Sequence, residues 1–302
     1  MPNDLLDPDA LAHIEHLELR ARRVVEGFVS GLHRSPFTGF SMEFASYREY
    51  QAGDDLKHLD WKAYARNDRL LIKQFESETN LTCHLVVDLS ASMGFALAGS
   101  TRLNKAAYAT TVAASIAHLA LGQSDAVSLT VFGGSDLYLP GSMRGDHLVR
   151  ICAELGKCAP SGTSSAADAL RRLAGRIKRR GLVVLIGDLL DGAETTVDAL
   201  GRLAAAGHEV VALQVLDAVE LDLPFSGRVR FAGLEGGGSF TCLPRQLRHD
   251  YKEAAQHFVK AIAGDCRKHG ADHHLLTTRT SVGAGLQAWL GAREHLAAGG
   301  RR

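Results

Sequence analysis

The stretch Cys83-His84-Leu85-Val86-Val87-Asp88-Leu89-Ser90-Ala91-Ser92 decides how the rest of the chain is read. Its core, His84-Leu85-Val86-Val87, is a continuous apolar run with no polar alternation, the pattern of a strand buried on both faces. A carboxylate and two hydroxyls at alternate positions follow that strand directly. In an open parallel sheet, ligands bind beyond the carboxyl ends of the strands, so this turn lies where a site belongs. Asp88, Ser90 and Ser92 offer hard oxygen donors along one edge of it, which suits Mg²⁺ or Mn²⁺.

Strand and helix signals alternate outward from this stretch almost to the end of the chain. Leu103 to Leu121 is an Ala-rich helix, Ala126 to Phe132 a strand, His147 to Leu155 a helix and Ala166 to Lys178 another helix. Leu182 to Ile186 is again a buried-type strand, Glu194 to Ala206 a helix and Val210 to Leu216 a strand. Phe225 to Cys242 interrupts the alternation with two short strands around Gly236-Gly237-Gly238. With no Gly-Lys-Ser/Thr after them, these glycines read as a hairpin turn and not as a phosphate loop. A long helix over Pro244 to His269 leads to a last strand at His273 to Thr277. Apolar strands joined by crossover helices predict an α/β fold with a mostly parallel sheet covered on both faces.

Two further elements extend the oxygen-donor set. Ser161-Gly162-Thr163 precedes the helix that begins at Ala166, and Asp188 follows the strand Leu182 to Ile186. Taken singly, Asp88, Ser90 and Thr163 are ordinary helix caps and turn formers. An aspartate after each of two buried strands, with a threonine loop between them in sequence, points to a common site.

The order Asp88-x-Ser90-x-Ser92, Thr163, Asp188 resembles the metal-ion-dependent adhesion site of von Willebrand factor A-type domains. The preceding segment has a signature too: Tyr47-Arg48-Glu49-Tyr50, Gly53-Asp54-Asp55, Leu59-Asp60-Trp61-Lys62, Ala65-Arg66 and Phe75-Glu76 resemble the bacterial family called domain of unknown function 58. This likeness implies a Rossmann-like, doubly wound sheet. It implies that Ser90, Ser92 and Thr163 contact a divalent cation while Asp88 and Asp188 act mostly through bound water. One coordination position is then left for an acidic side chain of a protein partner. Family members are often encoded beside MoxR-type AAA+ ATPases, which implies an adaptor role; relatives with membrane anchors exist, and none is expected here.

The 302 residues carry 34 Lys+Arg against 34 Asp+Glu, so the formal net charge is zero. That balance removes the long-range electrostatic case for a nucleic-acid or anionic-membrane binder. A hydrophobic content of 46% is ample for a core. No apolar run approaches the ~20 residues of a membrane helix, and Asp4, Asp7, Asp9 and Glu15 interrupt any secretory signal. A cytoplasmic location is expected. Five scattered cysteines without Cys-x-x-Cys read as reduced thiols, and the histidines, His13, His16, His273 and His274 included, lack zinc spacing.

The N-terminal part reads as an extension over residues 1–80, before an α/β domain over 81–280 and a C-terminal helix and tail over 281–302. Asp7-Pro8 caps a first helix running to about Gly27, with Leu11, Ile14, Leu17, Ala21, Val24 and Phe28 at helical spacing and Arg20, Arg22 and Arg23 outside. Residues 29 to 53 read as loop with short strands, Leu56, Leu59 and Ala63 lie on a second helix, and Leu70 to Phe75 forms a strand. Arg48, Tyr50, Asp54, Asp60, Trp61 and Arg66 suit either packing of this segment or a partner surface, with Trp61 favouring packing.

Binding without turnover is the expected output. The rival reading is a metal-dependent phosphatase-like hydrolase with Asp88 as nucleophile. Haloacid-dehalogenase-type enzymes place a second aspartate two residues on, where this chain has Ser90. No Gly-x-Ser-x-Gly supports a serine hydrolase. The cations Arg171, Arg172, Arg176, Lys178, Arg179 and Arg180 read as a solvated helix end, with no interleaved aromatics to stack on bases.

Overall fold

The computed structural model describes residues 17–25, 42–49, 71–77, 81–97, 102–163 and 165–299. The chain divides into two compact units, one of Phe37–Leu81 and one of Met1–Pro36 with Thr82–Arg302. In the smaller unit, β1 (Met42–Glu49) and β2 (Leu71–Ser77) form an antiparallel ribbon with Tyr47 opposite Lys73 and an irregularity between Phe44 and Ser46. Tyr47-Arg48-Glu49 and Phe75-Glu76 of the expected signature lie on these strands. Tyr50, Gly53 to Asp55, the Leu56 to Ala63 helix with Asp60, Trp61 and Lys62, and Ala65-Arg66 lie outside the described residues.

The larger unit is built on six strands: β3 (Thr82–Leu89), β4 (Ala126–Gly133), β5 (Leu137–Ser142), β6 (Gly181–Gly187), β7 (Glu209–Leu216) and, after a hairpin of β8 (Val229–Ala232) and β9 (Ser239–Cys242), β10 (Asp272–Thr277). Their order is β10-β7-β6-β3-β4-β5, parallel except for β5 against β4. Growth runs outward from β3 through β4 to β5, then returns to β6 on the other side of β3 and runs outward again. The switch point therefore lies between the carboxyl ends of β3 and β6, the place where such sheets bind ligands. The expected doubly wound, mostly parallel architecture holds.

Both faces of the sheet are covered by helices α1 (Lys105–Gly122), α2 (His147–Lys157), α3 (Ala166–Ala174), α4 (Ala193–Ala205), α5 (Ala218–Asp222), α6 (Pro244–Lys268) and α7 (Val282–Gly299). Period-2 alternation sends Val86, Val183, Leu185 and Ala212 to one face, where Leu170 and Leu173 of α3, Leu200 and Leu203 of α4 and Ile262 of α6 pack on them. Helix α1 packs against β3, β4, β6 and β7, and its alanines at 106, 109, 113, 114, 117 and 120 are buried. Such small side chains let the helix axis approach the sheet closely. All seven residues of β6 are buried, and each such Val, Leu or Ile contributes roughly 1.5–3 kcal/mol relative to exposure.

Several elements differ from expectation for local reasons. Strand β5 was not expected: it carries Pro140, which lacks a ladder donor and is tolerated on an edge. The helix expected to reach Lys178 ends at Ala174, because Gly175 favours helix termination over propagation. Arg176, Lys178, Arg179 and Arg180 therefore follow the helix. Arg171 pairs with Asp168, Arg172 with Asp136 at 2.9 Å, and Arg176 lies 4.4 Å over the Tyr138 ring. Residues 17–25 are helical, with Leu17, Ala21 and Val25 buried at four-residue spacing; Arg22 and Arg23 are exposed, and Val25, not Val24, continues the buried face. The expected start of this helix at Asp7-Pro8, and His13 and His16, lie outside the described residues. Among the described residues, no helix is long and apolar enough to cross a membrane.

All five cysteines are free. Burial pushes the Cys83 and Cys152 thiols up to about 12 and that of Cys266 up to about 11. His273 sits beside the Gln214 side-chain oxygen, 3.0 Å away, in a protein contact and not in a histidine cluster.

Candidate metal centre

Strand β3 ends in a turn that folds back on its own aspartate. The Ser90 amide donates to Asp88 Oδ1 at 2.8 Å, and the Met93 amide donates to the Ser90 carbonyl, opening a 3₁₀ turn over Ala91–Gly94. Met93 is fully buried and anchors that turn from below. Two backbone bonds tie the threonine loop to it: Ser161 donates to the Leu89 carbonyl at 3.0 Å and Ala91 to the Gly162 carbonyl at 3.1 Å. Thr163, the next residue, is exposed at the rim.

Glycines make this convergence possible. Gly133, at the end of β4, has φ +108°, and a side chain there would meet Leu89 C and Ser90 N at 2.4 Å. A Cβ on Gly187, the last residue of β6, would lie 2.7 Å from Asp88 Cβ and 3.2 Å from its Oδ2. Without it, the Asp88 carboxylate has room between the two central strands.

Asp188 follows Gly187, and its carboxylate turns toward β3. Its Oδ1 accepts from the Leu190 amide at 3.2 Å, its carbonyl from Gln214 Nε2 of β7 at 2.9 Å, and its Oδ2 from Ser92 Oγ at 2.7 Å. Ser92 Oγ is in turn 3.1 Å from Ser90 Oγ. Leu189 holds φ 56°, an uncommon state for a branched residue and a mark of local strain beside the site. Ser90, Ser92 and Asp188 thus stand in direct contact, Asp88 supports them from the buried side, and Thr163 is brought to the same rim by its neighbours' backbone bonds. Asp88, Ser90 and Asp188 are buried.

Three charged residues complete the surroundings, and none was singled out from sequence. Lys105, the fully buried first residue of α1, donates to Asp188 Oδ2 at 2.9 Å and to Glu220 Oε1 at 2.6 Å. Burial opposes its charged form, but the two carboxylates outweigh that effect and hold the ammonium above the ordinary lysine range. Burial pushes the Glu220 carboxyl up against the pull of Lys105. Glu220 also accepts from the Asp217 amide at 2.7 Å, closing a capping box on α5. Glu235, between β8 and β9, accepts from the Ser92 amide at 3.2 Å. Asp217-x-x-Glu220 is a sequence-level capping signal, and a lysine at a helix N-terminus opposes the dipole. Either could have been noticed; Glu235 has no comparable signal.

The donor set fits a hard divalent cation. Among the described residues, no three His, Cys, Asp or Glu side chains gather as a metal site. What gathers instead is hydroxyls with carboxylates, the chemistry of Mg²⁺ and Mn²⁺. Octahedral oxygens at 2.0–2.1 Å from Mg²⁺ stand about 2.9 Å apart along an edge. The Ser90 and Ser92 hydroxyl oxygens stand 3.1 Å apart, close enough to share one cation, while Ser92 donates to Asp188 at 2.7 Å.

The larger unit is a doubly wound, mostly parallel α/β sheet with hydroxyls and carboxylates at its switch point. The chain belongs to the family described as protein of unknown function DUF58, whose sequence profile matches residues 46–260. It is 33% identical over 287 residues to the uncharacterized protein Rv1480 of Mycobacterium tuberculosis, covering 92% of this chain and 87% of that one. Similar solved structures include the conserved hypothetical protein BatB of Bacteroides thetaiotaomicron, with 15% identity, TM-score 0.47 and coverage of 71% of this chain and 99% of that one. The vWF domain of the type V pili tip protein Mfa5 from Porphyromonas gingivalis is another, with 12% identity, TM-score 0.34 and coverage of 74% and 96%.

Proposed function

We propose that this protein is a non-enzymatic interaction module. Asp88, Ser90, Ser92, Thr163 and Asp188 hold Mg²⁺ or Mn²⁺ and offer it to an acidic side chain of a protein partner. The observation that carries this reading is the gathering of the Ser90 and Ser92 hydroxyls with the Asp188 carboxylate in one hydrogen-bonded cluster at the switch point of the sheet. When bound, the metal supplies residual positive charge that attracts a carboxylate. The chain's own residues do the rest: Asp88 fixes the Ser90 backbone, Lys105 orients Asp188, and the Gly162 bond to Ala91 sets the threonine loop. Asp88 is 2% exposed and engaged by the Ser90 amide, which suits a supporting carboxylate better than the nucleophile of a hydrolase.

The partner we propose is a MoxR-type AAA+ ATPase, for which this chain serves as an adaptor. Calorimetric titration with Mg²⁺ and Mn²⁺ tests the metal; wild type is expected to bind, and Asp88→Ala to bind at least about tenfold more weakly, because affinity follows ligand charge and site rigidity. Equal binding by the two proteins overturns the metal reading. Retention of a purified MoxR-type ATPase in Mg²⁺, and its release by chelator, tests the partner.

A further inference from the structure

Resting on the metal reading above, we infer that Glu235 is the chain's own acidic ligand: its carboxylate takes the cation's open position until a partner's acid displaces it. The contact joins residues 143 apart in sequence and falls on Ser92, whose hydroxyl belongs to the donor set. A carboxylate on this hairpin is the same chemistry that a partner would bring, delivered to the same rim.

The hairpin is shaped to deliver it. Across residues 232–241 every residue is exposed except Glu235, which is half-buried between exposed Leu234 and Gly236. The Gly233 amide donates to the Gly238 carbonyl at 3.0 Å and closes the tip. Gly236, Gly237 and Gly238 all have positive φ, at 111°, 85° and 81°, and a Cβ on Gly233 would lie 1.8 Å from the Gly236 carbonyl oxygen. The tip is thus a glycine turn with a single side chain directed inward. Among the described residues, strands β8 and β9 pair with each other and not with the six-stranded sheet, so the hairpin carries no strand pairing of that sheet. A tethered carboxylate competes at an effective concentration in roughly the millimolar range, so a dilute acid displaces it only with additional contacts.

Mn²⁺ alone, added to the full chain, tests this through free-ion electron paramagnetic resonance and water-proton relaxation. Glu235→Gln keeps an acceptor oxygen for the Ser92 amide but loses the charge, so a residue that merely caps the turn leaves the metal readouts unmoved. The inference expects Glu235→Gln to bind Mn²⁺ about tenfold more weakly, since affinity follows ligand charge, and to show greater relaxation enhancement as water replaces the carboxylate. Acetate is expected to quench that extra enhancement in Glu235→Gln and not in wild type. Unchanged affinity and enhancement in Glu235→Gln, with binding lost in Ser92→Ala and Asp88→Ala, overturn the internal ligand and leave the metal reading standing. Mn²⁺ binding that is absent from wild type, or equal in wild type, Ser92→Ala and Asp88→Ala, overturns both.

Discussion

Lys105 carries a charge where the dipole of α1 disfavours a cation and where no water reaches it. It is held there by Asp188 and Glu220, so its removal leaves two carboxylates facing each other in a poorly hydrated space. Lys105→Met is expected to destabilise the fold by about 3–5 kcal/mol, the cost of breaking a buried ion pair from one side, read from urea unfolding. The same residue shows where sequence reading stops. Asp88 and Asp188 are legible because each follows a continuous apolar strand. Lys105 finds its partners 83 and 115 residues away, and no local pattern encodes such a meeting. Thr163 is legible as the head of a loop, whereas its place at the rim depends on the bonds that Ser161 donates to Leu89 and Gly162 accepts from Ala91.

Among the elements, the turn after β3 depends on the strand beside it. Gly133 ends β4 at φ +108° and lies against Leu89 and Ser90. Gly133→Ala is expected to cost roughly 1–3 kcal/mol in backbone strain, lower the thermal midpoint and weaken Mn²⁺ binding by displacing the Ser90 turn. Unchanged metal affinity would show the turn to be independent of β4. Long apolar strands and the Ala-rich α1 were readable because period and composition agree along many residues. Strand β5 was not, since six residues interrupted by Pro140 carry little pattern. Helix α5, five residues long, is specified by its capping box more than by any apolar face.

For the whole molecule, the alternation of strands and helices announces a parallel sheet but leaves strand order open; β3 sits between β4 and β6 only through long-range pairing. That pairing buries ionisable groups and gives the fold a pH dependence. His84, on β3 beside β4 and β6, is pulled down to about 4 by burial and by the nearby His208, and its Nδ1 contacts Ser128 Oγ at 2.7 Å. Burial and His274 bring His273 to about 4 as well. Each folded-state value lies below the unfolded 6.5, so the unfolded chain binds more protons between the two, and stability falls as pH drops from about 6.5 to about 4. His84 alone contributes at most about 3 kcal/mol across that window. Glu220, raised by burial, opposes the trend. Urea unfolding between those pH values is expected to show the loss, and His84→Gln to flatten it. The thiols divide along the same line of burial. Cys83, Cys152 and Cys266 are suppressed as thiolates, while Cys158 precedes the Ser161-Gly162-Thr163 loop and Cys242 lies at the base of the glycine hairpin, both partly accessible. The protein thereby carries two native attachment points for a donor and acceptor dye, one ahead of the threonine loop and one at the base of the hairpin. It has its own optical ruler for the distance between hairpin and loop.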